Sequence, residues 1–271
     1  MSTLQNRREF MELTSAGLLA ASALETAHAA PKSANDKLVV GLIGCGGRGV
    51  HDAALFRKTT NVEVAYVSDV DDSRRAAATK TFDIRSNKAV ADLRRMLDDR
   101  SVDAVIIATP DHWHSIAAIL ACDAGKHVYV EKPISHNIRE GRLLVDASAR
   151  NKTLVQHGTQ SRSTSMMIDA VKLLRDGIIG NVMVAKCWNI QKRGSIGRGQ
   201  DTAPPAGFDY DNWVGPATMI PYRTNRVHNR WTWWYHFGAG DMGNDGVHDI
   251  DYTRRGLGVE THLTKVAALG G

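Results

Sequence analysis

The stretch Leu38-Val39-Val40-Gly41-Leu42-Ile43-Gly44-Cys45-Gly46-Gly47-Arg48-Gly49 decides the fold. An unbroken apolar run suits a strand buried on both faces. Glycines at 44, 46 and 49 follow at once. The first permits a tight turn, the second lets backbone approach a pyrophosphate, and the third lets a helix pack close to the strand. The helix opening there would turn free N–H groups and its positive dipole end toward phosphates.

A glycine pattern alone is weak, and its context supplies the remaining checks. A second apolar run, Val62 to Ser68, ends at Asp69. A carboxylate in that place accepts hydrogen bonds from an adenosine ribose and repels a 2′-phosphate, which favours NAD. Arg74 and Arg75 stand close by and keep NADP as the alternative; an ordinary turn or N-cap aspartate is the other reading of Asp69. The alternation continues outward. Val90 to Leu97 reads as a helix, Ala104 to Ala108 as a strand, and His112 to Ala124 as a helix closed by Gly125. His127 to Val130 reads as a strand, Ile138 to Arg150 as a helix, and Thr153 to Gln156 as a strand. Such alternation predicts an α/β fold: a doubly wound parallel Rossmann sheet over residues 37–157 with right-handed crossovers. Ligands in these sheets sit beyond the carboxyl ends of the strands. The segments to inspect are therefore Thr109-Pro110-Asp111-His112, Glu131-Lys132-Pro133 and His157.

Composition sets the frame. The 271 residues are 43% hydrophobic and 23% charged, the balance of a globular protein of about two domains. The longest uncharged apolar stretch, Leu13 to Leu24, falls short of the roughly 20 residues a membrane helix needs. The formal charge of +5 comes from basic residues spread along the chain without a block, which argues against a nucleic-acid partner. Three scattered cysteines supply neither a disulfide framework nor a Cys-x-x-Cys pair, and no metal-ligand spacing occurs. No Gly-x-Ser-x-Gly elbow supports serine hydrolysis.

Residues 1–29 read as a twin-arginine export signal. Asn6-Arg7-Arg8-Glu9-Phe10 carries the arginine pair, Leu13 to Leu24 is the apolar region, and Ala27-His28-Ala29 is the small-x-small cleavage site. The expectation is a periplasmic or otherwise exported protein, followed by a linker over 30–36. An amphipathic surface helix is the alternative reading of the segment.

From Gly158 the pattern changes, and residues 158–271 read as the first part of an incomplete α+β domain. Ser165 to Asp176 reads as a linking helix, Asn181 to Ile190 as a strand, Asp241 to Leu257 as a helical segment, and Thr261 to Ala268 as a second strand. Two strands are few for a sheet. The expectation is a chain that stops part-way through its second domain, with a homo-oligomer forming only when that domain is complete. Trp231, Trp233, Trp234, Tyr235 and Phe237 form a dense aromatic run that suits either core packing or a sugar ring. Arg223, His228 and Arg230 precede it and could bind hydroxyls or a carboxylate.

Glu131-Lys132-Pro133, closing Gly125-Lys126-His127-Val128-Tyr129-Val130, together with Thr109-Pro110-Asp111-His112-Trp113-His114 and the glycine loop, resembles the glucose–fructose oxidoreductase / inositol dehydrogenase family (Gfo/Idh/MocA). Asp209 to Pro216 and Gly240 to His248 resemble exported members. The resemblance runs from about Lys37 to the last residue. It implies an NAD(P)-dependent oxidoreductase of sugars, polyols or their derivatives, with a largely antiparallel sheet in the second domain. It implies that Gly44, Gly46, Gly49, Asp69, Thr109, Pro110, His114, Glu131 and Lys132 hold the cofactor, with Lys132 also in proton relay. The family's Asp-x-Gly-x-His-x-x-Asp motif maps onto Gly246, His248 and Asp251, but its leading acid falls on Asn244. His248 remains the acid/base candidate. Asn244 can position a hydroxyl but carries no proton. Asp245 is adjacent, yet helix geometry turns it about 100° away. Trp233, Asp245 and Asp251 join Arg223 and His228 as substrate candidates.

Two other functions remain open on these residues. Transient oxidation of a sugar, followed by glycosidic cleavage and return of the hydride, fits Asn244 and the aromatic run. A non-catalytic cofactor- or sugar-binding protein fits the incomplete second domain. Pro133 should end its strand at or before Lys132, and a cis Lys132–Pro133 bond is expected to aim the lysine.

Overall fold

The computed structural model describes residues 37–59 and 61–269, so the export signal and linker read over 1–36 lie outside the described residues. The chain alternates β1 (Leu38–Ile43), α1 (Gly47–Arg57), β2 (Val62–Ser68), α2 (Asp72–Phe82), β3 (Ala89–Val90), α3 (Leu93–Leu97), β4 (Ala104–Ile107), α4 (Asp111–Asp123), β5 (His127–Glu131), α5 (Ile138–Asn151) and β6 (Val155–Gly158). The six strands form one parallel sheet in the order β3-β2-β1-β4-β5-β6. This is the doubly wound order, whose crevice lies where the strand order reverses between β1 and β4.

Each face of the sheet is covered, which explains the continuous apolar runs. Ile43, Val105, Ile107, Val128 and Val130 pack with α4 and α5 residues such as Ala118 and Leu144. Val40, Leu42, Val64, Val67 and Ile106 pack with Ala53, Ala78 and Phe82. Val90 differs from its expected helical place: it pairs with Ser68 in β3. The following helix starts only at Leu93, because Asp92 accepts the Arg94 N–H at 3.0 Å and caps it. Sequence reading also passed over α2, which Asp71 caps by accepting the Ser73 N–H at 2.9 Å.

Beyond β6 the elements are α6 (Ser165–Arg175), α7 (Tyr210–Val214), α8 (Gly240–Asn244) and α9 (Gly246–Leu257). The strands expected at Asn181 to Ile190 and Thr261 to Ala268 are absent: the described residues hold no strand after Gly158. A strand needs a neighbour to pair its N–H and C=O groups, and here those residues lie open, with Met183 82% and Ile190 90% exposed. The second part is held instead by an aromatic cluster of Phe208, Tyr210, Trp213, Tyr222 and Phe237. It ties to the sheet at the end of β2, where Asp72 N–H donates to Gly207 O at 2.8 Å and Asp209 N–H to Val70 O at 3.0 Å.

Candidate active site

At the end of β1 the three glycines do different work. Gly44 has φ +90°, and a Cβ there would meet the Ala108 carbonyl carbon at 2.7 Å. A Cβ on Gly49 would stand 2.0 Å from Gly44 O. Gly46 is the N-cap of α1 with no side-chain cap, and the space before it holds only the Arg74 guanidinium, 3.1 Å from the Cβ position. The helix N-terminus therefore stays open to an anion. Asp69 stands beside it, its carboxylate accepting the Cys45 N–H at 2.7 Å and the Asp71 N–H at 2.9 Å. Burial pushes its pKa up, against the pull of those N–H groups and of Arg74.

At the end of β5 the Lys132–Pro133 bond is cis, and the strand stops at Glu131, as Pro133 requires. Lys132 Nζ donates to both Oδ1 and the main-chain O of Asn244, each at 2.7 Å. Burial lowers the lysine's pKa, opposed by the carboxylates of Glu131, Asp111 and Asp245. Glu131 is buried and accepts Arg48 Nε at 3.0 Å and Nη2 at 2.8 Å on one oxygen, and the Lys132 N–H at 3.1 Å on the other. Arg48 Nε also lies 3.1 Å from Asp52, whose carboxyl is pushed up to about 6 by burial. His248 is half-buried on α9, its Nδ1 without a hydrogen-bond partner. Its pKa is lowered by burial and then by the charge of Lys132.

One cavity of about 680 Å³ joins these two ends, with Gly46 and Asp69 at one and Lys132, Asn244 and His248 at the other. Gly44, Thr109, Pro110, His114 and Glu131 also line it, and Thr109 Oγ1 is buried without a partner. His114 has both ring nitrogens engaged, 2.6 Å from Pro133 O and 2.8 Å from Thr109 O, so it clasps two strand-end loops. Trp233 lines the wall, with the Arg193 guanidinium 5.4 Å over its ring.

Four substrate assignments read from sequence change. Arg223 pairs with Asp201 away from the cavity. His228 does line it, but at the ribose end, 3.4 Å from Asp71 and against Phe208. Asp245 sits in the turn between α8 and α9 and reaches Arg193 and Asn189, but one of its oxygens also accepts Asn244 Nδ2 at 3.3 Å, so it is not turned away from Asn244 as a continuous helix would place it. Asp251 is held in a two-pronged pair by Arg162 at 3.0 and 2.7 Å and does not reach the cavity. A local motif fixes where a side chain starts, while distant arginines decide where an acid points. Arg48 and Arg193 line the cavity without any sequence signal for it, and Asp111, within a strand-end segment singled out from sequence but given no role there, lines it too.

The fold and site define a Rossmann-type nucleotide-binding protein, and comparison with known proteins narrows the class. Residues 38–159 match the family model "Oxidoreductase family, NAD-binding Rossmann fold", and residues 170–265 match "Oxidoreductase family, C-terminal alpha/beta domain". With both matches in order along most of its length, the chain belongs to the Gfo/Idh/MocA oxidoreductase family. An inositol 2-dehydrogenase of Saccharopolyspora erythraea is 33% identical over 153 residues, 55% of this chain and 44% of that protein. A glycosyl hydrolase family 109 protein of Shewanella putrefaciens is 29% identical over 206 residues, 66% of this chain and 44% of that protein. The chain thus spans about half the length of the curated relatives it matches. The crystal structure of an NAD binding oxidoreductase from Klebsiella pneumoniae shares the fold, with TM-score 0.56 and 23% identity, over 82% of this chain and 54% of that one.

Proposed function

We propose that the protein is an exported NAD(P)-dependent oxidoreductase acting on a CH–OH group of a sugar, polyol or sugar derivative. The observation that carries this reading is Lys132, set 2.7 Å from Asn244 Oδ1 in the same cavity as the open helix N-terminus and Asp69. The residues fit a dinucleotide: the space at Gly46 holds only the cationic Arg74 guanidinium, and Thr109 Oγ1 lacks a partner. Bound there, the nicotinamide supplies the hydride acceptor.

The chain's own residues have distinct parts in this reading. Main-chain N–H groups at the start of α1 hold phosphate, and Asp69 holds the ribose. Lys132, with its pKa lowered by burial, takes the hydroxyl proton. Asn244 fixes the lysine, and His248 is the second acid/base. Trp233 offers an apolar face to a ring. The likeness to inositol 2-dehydrogenases supports a polyol or sugar substrate. The arginine pair, apolar run and cleavage site in residues 1–29 support export. The test is NAD reduction followed by absorbance across a panel of inositols, aldoses and their derivatives. Turnover of at least one supports the reading; NADH binding with no turnover of any redirects it.

A second reading has a specific observation behind it. Asn244 in place of a carboxylate, with the likeness to a glycosyl hydrolase family 109 protein, favours glycosidic cleavage through transient oxidation. NAD-dependent release of an aglycone without net NADH would select it.

A further inference from the structure

The Asn244 side chain is held from two sides. Its Oδ1 accepts Lys132 Nζ at 2.7 Å, and its Nδ2 donates to Asp245 Oδ1 at 3.3 Å. An amide offers an oxygen on one side and N–H groups on the other. The lysine needs the oxygen and the carboxylate needs the N–H, so both neighbours choose the same orientation. Asp245 is fixed in turn. Its Oδ2 pairs with Arg193 Nη2 and accepts Asn189 Nδ2 at 3.4 Å. Arg193 also grips Asp241, at the start of α8, by two hydrogen bonds of 3.0 and 2.8 Å. One hydrogen-bonded chain therefore runs from Arg193 through Asp245 and Asn244 to Lys132.

Acting as a base, the lysine amine is neutral and has two N–H groups and one lone pair. Asn244 accepts two N–H groups from Nζ, one on Oδ1 and one on its main-chain O, each at 2.7 Å. The lone pair is then left for the substrate hydroxyl. There it forms an N–H bond as the O–H bond breaks, with that bond's electron pair staying on oxygen. A reversed amide would aim Nδ2 at the lone pair and block it. We propose that Asp245 is a positioning residue that keeps the Asn244 amide oxygen toward Lys132, so that the lysine lone pair stays open to substrate. The inference rests on Lys132 being the proton acceptor of the proposed reaction. The charged groups facing Lys132 are Glu131, Asp111, Asp245, Arg48 and His248. A change at Asp245 therefore alters the field at the lysine as well as the amide, and the two effects have to be separated.

The experiment measures how fast trinitrobenzenesulfonate modifies Lys132 as pH is varied, read by peptide mass spectrometry on the full chain. It compares the parent, Asp245→Asn, Asn244→Asp and the double variant, with the denaturant transition of each as the folding control. In Asp245→Asn, Arg193 keeps the side-chain oxygen, and the new NH2 group faces Asn244. The Asn244 amide then reverses and turns its own N–H groups on the lysine. The half-modification pH should fall by about one unit or more. In Asn244→Asp the side chain carries oxygen on both sides and has no orientation to lose. Adding Asp245→Asn to it should move the half-modification pH by under about half a unit. Equal shifts in the two backgrounds would mean that Asp245 acts by charge alone, and would overturn the proposal. An unmoved profile in folded Asp245→Asn overturns it as well. Should Asp245→Asn fail to fold, Asp245→Ala, which leaves the amide free to turn, takes its place under the same criteria. NADH titration of the parent keeps the two readings apart. Absence of binding, with the lysine shifts intact, would sink the oxidoreductase reading and leave the amide's orientation by Asp245 standing; binding, with equal shifts in both backgrounds, would do the reverse.

Discussion

The two parts of the chain keep their shape by different means. Residues 38–158 rest on a parallel sheet with both faces covered and interior side chains such as Leu42, Ile107 and Val130 sealed from water. Residues 159–269 have no strand among those described and depend on an aromatic cluster, arginine–carboxylate pairs and main-chain ties to the end of β2. The sheet needs only its own hydrogen bonds and apolar periodicity. The second part takes its form from the surface it covers. Lys132 belongs to the first and Asn244 and His248 to the second, so the candidate site exists only while the two are docked.

The contrast can be broken most severely at Gly49. A valine there would drive its Cβ to 2.0 Å from Gly44 O, and main chain cannot yield as a flexible side chain can. Gly49→Val should abolish cooperative folding of the sheet, seen as loss of the denaturant transition. Next comes Phe237, fully buried between His112 and Trp213. Phe237→Ala should cost about 3–5 kcal/mol. Hydrogen exchange should show the loss concentrated in residues 207–240, with β1, β4 and β5 still protected.

His112 gives a pH-dependent effect of similar or smaller size. Its ring joins the parts, with Nε2 3.0 Å from Trp213 O and Nδ1 3.3 Å from Phe237 O, and burial pushes its pKa from 6.5 down to about 4. Between those values the unfolded chain binds the proton that the folded chain refuses. The contribution is therefore full above pH 6.5 and lost as pH falls toward 4, about 3 kcal/mol at most. Asp52, raised to about 6, runs the other way, but it is common to parent and variant. Denaturant unfolding of parent and His112→Gln at pH 7 and pH 4.5 should show the parent losing more stability on acidification. The smallest effect is expected at Trp188, which is 73% exposed in the second part. Trp188→Ser should change stability by under about 0.5 kcal/mol.

The same difference explains what could be read from sequence. β1 and β2 were legible to the residue, because a strand buried on both faces writes an unbroken apolar run and the glycines mark its end. Asn244 and His248 were legible through a motif, and the lysine–asparagine contact follows from two motifs meeting. The strands read at 181–190 and 261–268 failed because alternating apolar residues do not reveal whether a pairing partner exists. Asp251 and Arg223 failed for a different reason. Their partners, Arg162 and Asp201, lie 89 and 22 residues away, and no local pattern announces such pairs.

The central claim is that one cavity holds a nicotinamide dinucleotide with Asp69 at its ribose end and Lys132 at its reactive end. NADH fluorescence titration of the parent, Lys132→Ala and Asp69→Ala proteins tests it most directly. The parent should bind below millimolar NADH, and Lys132→Ala should stay within a few fold of it. Asp69→Ala should bind NADH about tenfold or more weakly and discriminate less against NADPH, by loss of a carboxylate that accepts ribose hydroxyls and repels a 2′-phosphate. Absence of binding in the parent, or an Asp69→Ala protein with undiminished affinity and unchanged NADPH discrimination, would contradict the account.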